Sequence, residues 1–346
     1  MKTNRTYTSL EICAGAGGQA LGLEQAGFKH IALVELEMDY CKVLMQNRPE
    51  WNVLCGDVRK FSGAPFFGEV DLLAGGVPCP PFSVAGKQLG EADERDLFPE
   101  MLRLVGEIGP KAVMIENVRG FLDPKFELYR KSILRQLEKL GYHTPHIALL
   151  NASDFGVSQL RPRAVIVAIR NDIADTFEFP EPDINPAPSV GAVLYDLMAA
   201  EGWPGAEEWC RNANKIAPTL VGGSKKHGGP DLGPTRARKA WAELGINGVS
   251  IADSAPGPEY DASPRLTPRM MARLQGFPDD WYIGKKKTLS CRMIGNAFPP
   301  PVAKRVGIEI IKVLENGSID ITSKKRVPQK AVGRGNIDYR QVGNPQ

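Results

Sequence analysis

Leu10-Glu11-Ile12-Cys13-Ala14-Gly15-Ala16-Gly17-Gly18-Gln19-Ala20 reads as an apolar strand that runs into a glycine turn and then opens a helix. Residues 15–20 satisfy G-x-G-x-x-A, and Glu35 lies 20 residues past the first glycine, at the end of the next expected strand. That is the pattern of a dinucleotide site, so an NAD-dependent oxidoreductase has to be weighed. The same geometry suits S-adenosyl-L-methionine. Its glycines let the backbone approach the methionyl part, and an acidic residue at the end of strand two accepts hydrogen bonds from both ribose hydroxyls. Glu35 fills that place, and Asp57, in Gly56-Asp57-Val58 after strand three, can accept from the adenine amino group. An acidic residue after each of strands two and three favours the methyl donor over NAD.

Outward from this turn, the first 170 residues alternate short apolar runs with helical patterns, the mark of βαβ units and a mostly parallel sheet. Strands are expected at 8–12, 31–35, 52–55, 70–74, 112–116, 147–151 and 164–169, with helices at 18–26, 39–47, 99–108 and 126–140. Seven strands is the complement of a class I methyltransferase-like sheet. From about 171 to 264 the periodicity fades, proline and glycine become dense, and basic residues gather at Lys225-Lys226-His227 and over 236–239. Helical pattern returns at 267–274 and 300–314. The expected organisation is a catalytic and cofactor-binding domain over 1–172, a smaller loop-rich domain over 173–264, a returning segment over 265–315 and a basic tail over 316–346.

Composition narrows the class. The 346 residues are 42% hydrophobic and 24% charged, as in globular proteins, and the net charge of +3 is far from that of a basic nucleic-acid coat. Six cysteines show no CxxC pair or zinc spacing, there is no apolar leader, and no run reaches the 18 or so apolar residues that span a membrane. A reduced cytoplasmic enzyme with no metal site and no membrane contact is expected; His143 and His146 are read as strand residues rather than ligands.

The reactive groups stand at strand ends. In Gly75-Gly76-Val77-Pro78-Cys79-Pro80-Pro81-Phe82-Ser83 a thiol follows an apolar strand and sits between prolines, whose fixed φ sets its position before substrate arrives. Further on, Ala112-Val113-Met114-Ile115-Glu116-Asn117-Val118 is a second apolar strand, ending in a carboxylate. A thiol and a carboxylate on neighbouring strand ends are what attack on a pyrimidine ring requires.

With the glycine turn, Pro78-Cys79 and Glu116-Asn117-Val118 in that order, the chain resembles the bacterial DNA (cytosine-5) methyltransferases. The resemblance continues through Gln159-Leu160-Arg161-Pro162-Arg163, then Arg265-Leu266-Thr267-Pro268-Arg269 with Gln275-Gly276-Phe277-Pro278, and ends at Gly295-Asn296-Ala297. Only about 175–260 is unmatched, where that family keeps its target recognition domain. The resemblance implies an α/β class I S-adenosylmethionine-dependent fold, a Rossmann-like mixed seven-stranded sheet with a smaller target recognition domain. It implies Cys79 as nucleophile, Glu116 as the group holding the ring N3 and exocyclic amine, and Arg163 at the base O2. Arg161 joins Arg163 as a candidate for activating the thiol. Gly15, Gly17, Glu35, Asp57 and Asn296 fall on cofactor positions, with Cys13, Ala14, Gly18, Leu36, Val58, Pro78 and Ala297 beside them. Ser83, Gln159, Lys225, Lys226, Arg236 and Arg238 are the candidate DNA contacts. Three positions depart from the family pattern: Cys13 stands for a phenylalanine, Leu36 for an aromatic over the adenine, and Pro80 for a glutamine after the nucleophile.

These residue types suit C5 methylation. Addition of a thiolate at C6 makes C5 nucleophilic, and a proton or strong hydrogen bond at N3 eases the addition. A free thiol has pKa about 8.5, so Cys79 needs a nearby cation. The ring face is inaccessible inside a duplex, so the base must flip out, and the glycine-bearing, charged segment 82–96 is expected to close over it. The expected function is methylation of cytosine C5 in a specific double-stranded DNA sequence, by a monomer, in a restriction–modification system beside a cognate restriction endonuclease. An RNA cytosine-5 methyltransferase keeps the chemistry but leaves the long 175–260 insertion idle. An oxidoreductase leaves Pro78-Cys79 unexplained, and a silent DNA-binding protein leaves every chemical group unexplained.

Overall fold

A computed structural model describes residues 5–78, 96–222 and 229–317. Cys79, Ser83, Lys225, Lys226, the segment expected to close over the base (all but its last residue) and all but the first two residues of the basic tail lie outside the described residues.

Seven strands form one sheet: β1 (Tyr7–Ile12), β2 (Phe28–Glu35), β3 (Val53–Cys55), β4 (Leu72–Gly75), β5 (Ala112–Val118), β6 (His146–Asn151) and β7 (Pro162–Ile169). Their order is β3-β2-β1-β4-β5-β7-β6. The first five are mutually parallel, whereas β7 runs antiparallel between β5 and β6. The dinucleotide fold has strand order 3-2-1-4-5-6. The inserted antiparallel strand is instead the topology of the class I methyltransferases, and this removes the fold argument for an oxidoreductase.

Period-two alternation sorts the side chains to two faces. Leu10 and Ile12, Val113 and Ile115, and Ala164, Ile166 and Ala168 point to the face covered by α3 (Phe98–Ile108) and α4 (Glu127–Lys139). Leu72 and Ala74, Ala112 and Met114, and Val165, Val167 and Ile169 point to the other, covered by α1 (Gly18–Ala26) and α10 (Pro300–Asn316). α2 (Met38–Asn47) links β2 to β3. The α1–α10 contact is close because Gly22 carries no side chain: a Cβ there would stand 2.3 Å from the Pro300 carbonyl oxygen.

The smaller lobe is more regular than expected. It holds α5 (Val190–Ala199), α6 (Ala206–Asn212) and α7 (Thr235–Ala242), none of which the weak periodicity of 171–264 announces. Helices of seven to ten residues are marginal alone, and here tertiary burial of Leu194, Met198, Trp209 and Trp241 holds them. That core runs without a break into α8 (Pro268–Leu274) and α9 (Lys287–Asn296), and on to Ala16, Leu44 and Trp51 of the large lobe. α8 starts where the sequence places it, the Thr267 hydroxyl accepting from the Met270 amide at 3.3 Å with Pro268 at the first helical position. No helix among the described residues is long and apolar enough to cross a membrane.

Candidate active site

A cleft of about 640 Å³ opens at the C-terminal ends of the parallel strands. Cys13, Ala14, Gly15 and Gly18 of the glycine turn line it, with Glu35 and Leu36 after β2, Asp57 and Val58 after β3, Pro78 after β4, and Asn296 and Ala297 from the end of α9. Of the expected cofactor positions only Gly17 is not at its wall. Its role is steric, for at φ 77° a Cβ would meet Leu44 at 2.6 Å and Trp281 at 3.1 Å. Trp281 was not singled out from sequence, yet its indole nitrogen donates to the Ala16 carbonyl at 3.2 Å and so holds the turn from outside.

The turn is tied to the acidic residue across the cleft. Glu35 is 6% exposed; its Oε2 accepts from the Gly15 amide at 2.7 Å and its Oε1 from the Glu37 amide at 2.8 Å. Each oxygen keeps a lone pair for a ligand hydroxyl. Burial pushes this carboxyl above its ordinary value, while the amides pull it down. Cys13 is the only described non-glycine residue with positive φ, 56°, a strained conformation that clusters at functional sites. Burial first, then Glu35, Glu11 and Asp57, push its thiol up. Asp57 is held below the usual carboxylate range by Arg59, which bonds its two oxygens at 3.0 and 2.7 Å.

Two polar residues of this wall escaped the sequence reading. Glu11 on β1 is 1% exposed, its Oε2 has no hydrogen-bond partner among the described residues, and neither do both polar atoms of Gln19 on α1. Both line the cleft. Burial raises the Glu11 carboxyl well above its ordinary value. A buried carboxyl beside a buried amide, with polar atoms left without good hydrogen-bond partners, is costly unless a ligand completes the set.

The catalytic candidates meet at the next strand ends. Glu116, on β5, is buried at the cleft wall, and Arg163 Nε approaches its Oε1 at 2.8 Å. The antiparallel register makes this pair: Glu116 faces Val165, and Arg163 lies two residues along on the same side. Burial raises the Glu116 carboxyl; Arg163 and then Arg161 oppose it without cancelling it. Gly76 leaves the room this carboxyl needs, since a Cβ there would come within 2.9 Å of Glu116 Oε2. Asn117 donates from Nδ2 to the Val77 carbonyl at 2.9 Å, so the backbone leading into Pro78 is pinned to β5.

Two expectations change. Arg161 is wholly buried and absent from the cleft wall; its guanidinium donates to the carbonyls of Leu220, Gly295 and Ala297 at 2.9, 2.7 and 2.9 Å. Gln159 is wholly buried as well, bonded to Leu220, Leu274 and Gln275, and no surface of it faces solvent or DNA. A polar side chain with no exposure contacts neither phosphate nor base. Arg236 and Arg238 lie on α7 rather than in a loop, Arg236 exposed and Arg238 half-buried.

The profile of the C-5 cytosine-specific DNA methylases matches residues 7–312. The chain is 54% identical over 312 residues to the type II methyltransferase M.NgoMIV of Neisseria gonorrhoeae, covering 89% of this chain and 98% of that one. It is 54% identical over 307 residues to the type II methyltransferase M.NaeI of Lentzea aerocolonigenes, covering 87% and 74%. Among solved structures, a putative DNA modification methyltransferase encoded within an E. coli prophage superposes with a TM-score of 0.64 at 23% identity, over 89% of this chain and 99% of that one.

Proposed function

This chain belongs to the C-5 cytosine-specific DNA methylases, and from that membership we propose that it methylates C5 of a flipped-out cytosine within a specific duplex sequence through a Cys79–C6 adduct. The Glu116–Arg163 pair carries the reading. A carboxyl kept protonatable by burial, beside a guanidinium, at the strand end next to the one that leads into Cys79, meets the demands of N3 and O2 together.

The cleft fits S-adenosyl-L-methionine. Glu35 has lone pairs for both ribose hydroxyls, Leu36 and Val58 give apolar faces for a purine ring, and the orphaned Glu11 and Gln19 suit a polar, cationic methionyl end. When bound, this group supplies an electrophilic sulfonium methyl. The protein's residues do the rest. Cys79 adds as a thiolate to C6, which pushes an electron pair to C5. Glu116 holds a proton at N3, so that the charge developing on the ring is met in a site shielded from water. Arg163 holds Glu116 in place and offers its remaining donors to O2. Once C5 carries the methyl group, loss of the C5 proton restores the double bond and expels the Cys79 thiolate. The protein acts as a monomer on double-stranded DNA, with a restriction endonuclease of the same sequence as its counterpart.

Bisulfite sequencing of DNA from cells expressing the protein tests the reading. Protected cytosines should recur at one position of one short sequence, and Cys79→Ser should abolish them while DNA binding persists. A duplex with 5-fluorocytosine at that position should trap the chain covalently at Cys79. Conversion of every cytosine, or a serine variant within about tenfold of wild type, would overturn it.

A further inference from the structure

We propose that Glu11 is the counter-charge for a cationic group of the bound cofactor and gives up its proton to solvent when that group arrives, a step that rests on the methyl-donor reading of the cleft above.

The acids on the cleft wall are not alike. Glu116 pairs with Arg163, Asp57 pairs with Arg59, and Glu35 accepts from two backbone amides. Glu11 has no such partner. It is 1% exposed, and its Oε2 is buried without a hydrogen bond among the described residues. No cation is among the groups that act on it.

The surroundings offer no substitute. Glu11 lies between Leu33 of β2 and Ala74 of β4, neither of which ionises. From α1 comes Gln19, buried, with both amide atoms short of a hydrogen bond. From the end of β2 comes Glu35, a like charge, and beyond the end of β1 stands the Cys13 thiol, whose proton burial holds. Asn296, at the end of α9, is neutral. An unpaired carboxylate does not persist in such a place, so without a ligand the carboxyl is neutral. Burial raises it accordingly, Gln19 draws it partly back, and Glu35 raises it again.

Glu11, Gln19 and Cys13 all line the cleft. A cation that enters beside them meets a carboxyl with no competing partner. The O–H bond of the Glu11 carboxyl then breaks, the proton passes to the buffer, and the carboxylate pairs with the positive charge of the ligand. Gln19 can offer its carbonyl oxygen to the same cation and its amide to the carboxylate. S-adenosyl-L-methionine carries a sulfonium and an α-ammonium, whereas S-adenosylhomocysteine keeps only the ammonium, so the two ligands tell which charge Glu11 meets.

Calorimetry on the full-length protein counts the proton. Heats of binding in phosphate and in Tris, whose ionisation enthalpies differ, give the number released per ligand bound. Wild type should release about one proton near neutral pH, and Glu11→Gln none. Release with both ligands assigns the ammonium as the partner, and release with S-adenosyl-L-methionine alone assigns the sulfonium. Affinity should carry the same sign. Binding that expels a proton strengthens as pH rises, so the wild type should exceed Glu11→Gln by about tenfold or more at about pH 8 and converge on it at about pH 6. A merely structural Glu11 would change binding by the same factor at every pH. Should Glu11→Gln not fold, the wild-type proton count decides alone. No release by the wild type with either ligand, or undiminished release in the variant, overturns the inference. Wild-type protein that binds neither ligand at any pH would sink the methyl-donor reading itself, and this inference with it.

Discussion

At the scale of single residues, the site depends on charges kept from their usual state. Glu116 holds its proton more tightly in the folded chain than in an unfolded one, because burial outweighs Arg163. The folded state therefore binds the extra proton between the two pKa values, and this contribution to stability is lost as pH rises through the raised folded value. Activity should follow the same limb. The proton-bearing form disappears above that pKa, so single-turnover methyl transfer should decline on the alkaline side. Glu116→Gln should slow the step by about 10²–10⁴-fold and flatten the alkaline limb. An unchanged profile in that variant would remove Glu116 as the proton holder. Glu35→Ala should weaken S-adenosyl-L-methionine binding by one to two orders of magnitude, roughly 1.5–3 kcal/mol for two hydrogen bonds to a charged acceptor. Unchanged affinity in calorimetry would refute that. Both acids were legible in the sequence because each ends an apolar strand. Glu11 was not, since its meaning is an unmet hydrogen bond, and only three-dimensional burial reveals one.

At the scale of elements, glycines set how closely helices approach, and the cofactor turn inherits that spacing. α1 carries Gly18 and Gln19 into the cleft and lies against α10 at Gly22 and Gly307, where a Cβ would meet neighbouring atoms at 2.3 Å and 2.9 Å. Gly22→Ala should destabilise the chain by about 1–3 kcal/mol through overpacking against rigid backbone, even though alanine favours a helix more than glycine does. A urea denaturation midpoint that drops at constant slope is the expected result. A midpoint equal to or above wild type would mean that α10 yields freely. The sheet and α1–α4 were legible because apolar runs and 3.6-residue periods are local signals. The antiparallel placing of β7 was not, since strand direction is set by where the chain returns. Nor were α5–α7, whose stability is tertiary, nor the small lobe's shared core with Ala16 and Trp51, which no local pattern encodes.

At the scale of the whole molecule, a net charge of +3 cannot hold DNA by a general field, so affinity has to come from local groups. The candidate groups stand on the small lobe, and Arg236 and Arg238 sit on a helix rather than in the basic loop that the sequence suggested. Arg236 and Arg238 are two apart on α7, hence about 200° apart around the helix axis. They cannot address neighbouring base edges from one face. Arg236 is exposed and shares its side of the helix with Lys239, three residues on, while Arg238 packs its stem beside Gly248. The two alanine variants should therefore carry different signatures. A base-reading arginine should cost about 1–3 kcal/mol and relax preference at one base pair. A phosphate contact should weaken binding to all sequences alike and reduce the salt slope by about one. At least one of the two is expected to be the base reader, because both stand outside the catalytic strand ends on the lobe that 217–222 ties to the cleft. Binding measured over single-base variants of the mapped site at two salt concentrations separates the cases. Uniform loss for both variants would assign α7 to the DNA backbone and move sequence readout to another part of the small lobe.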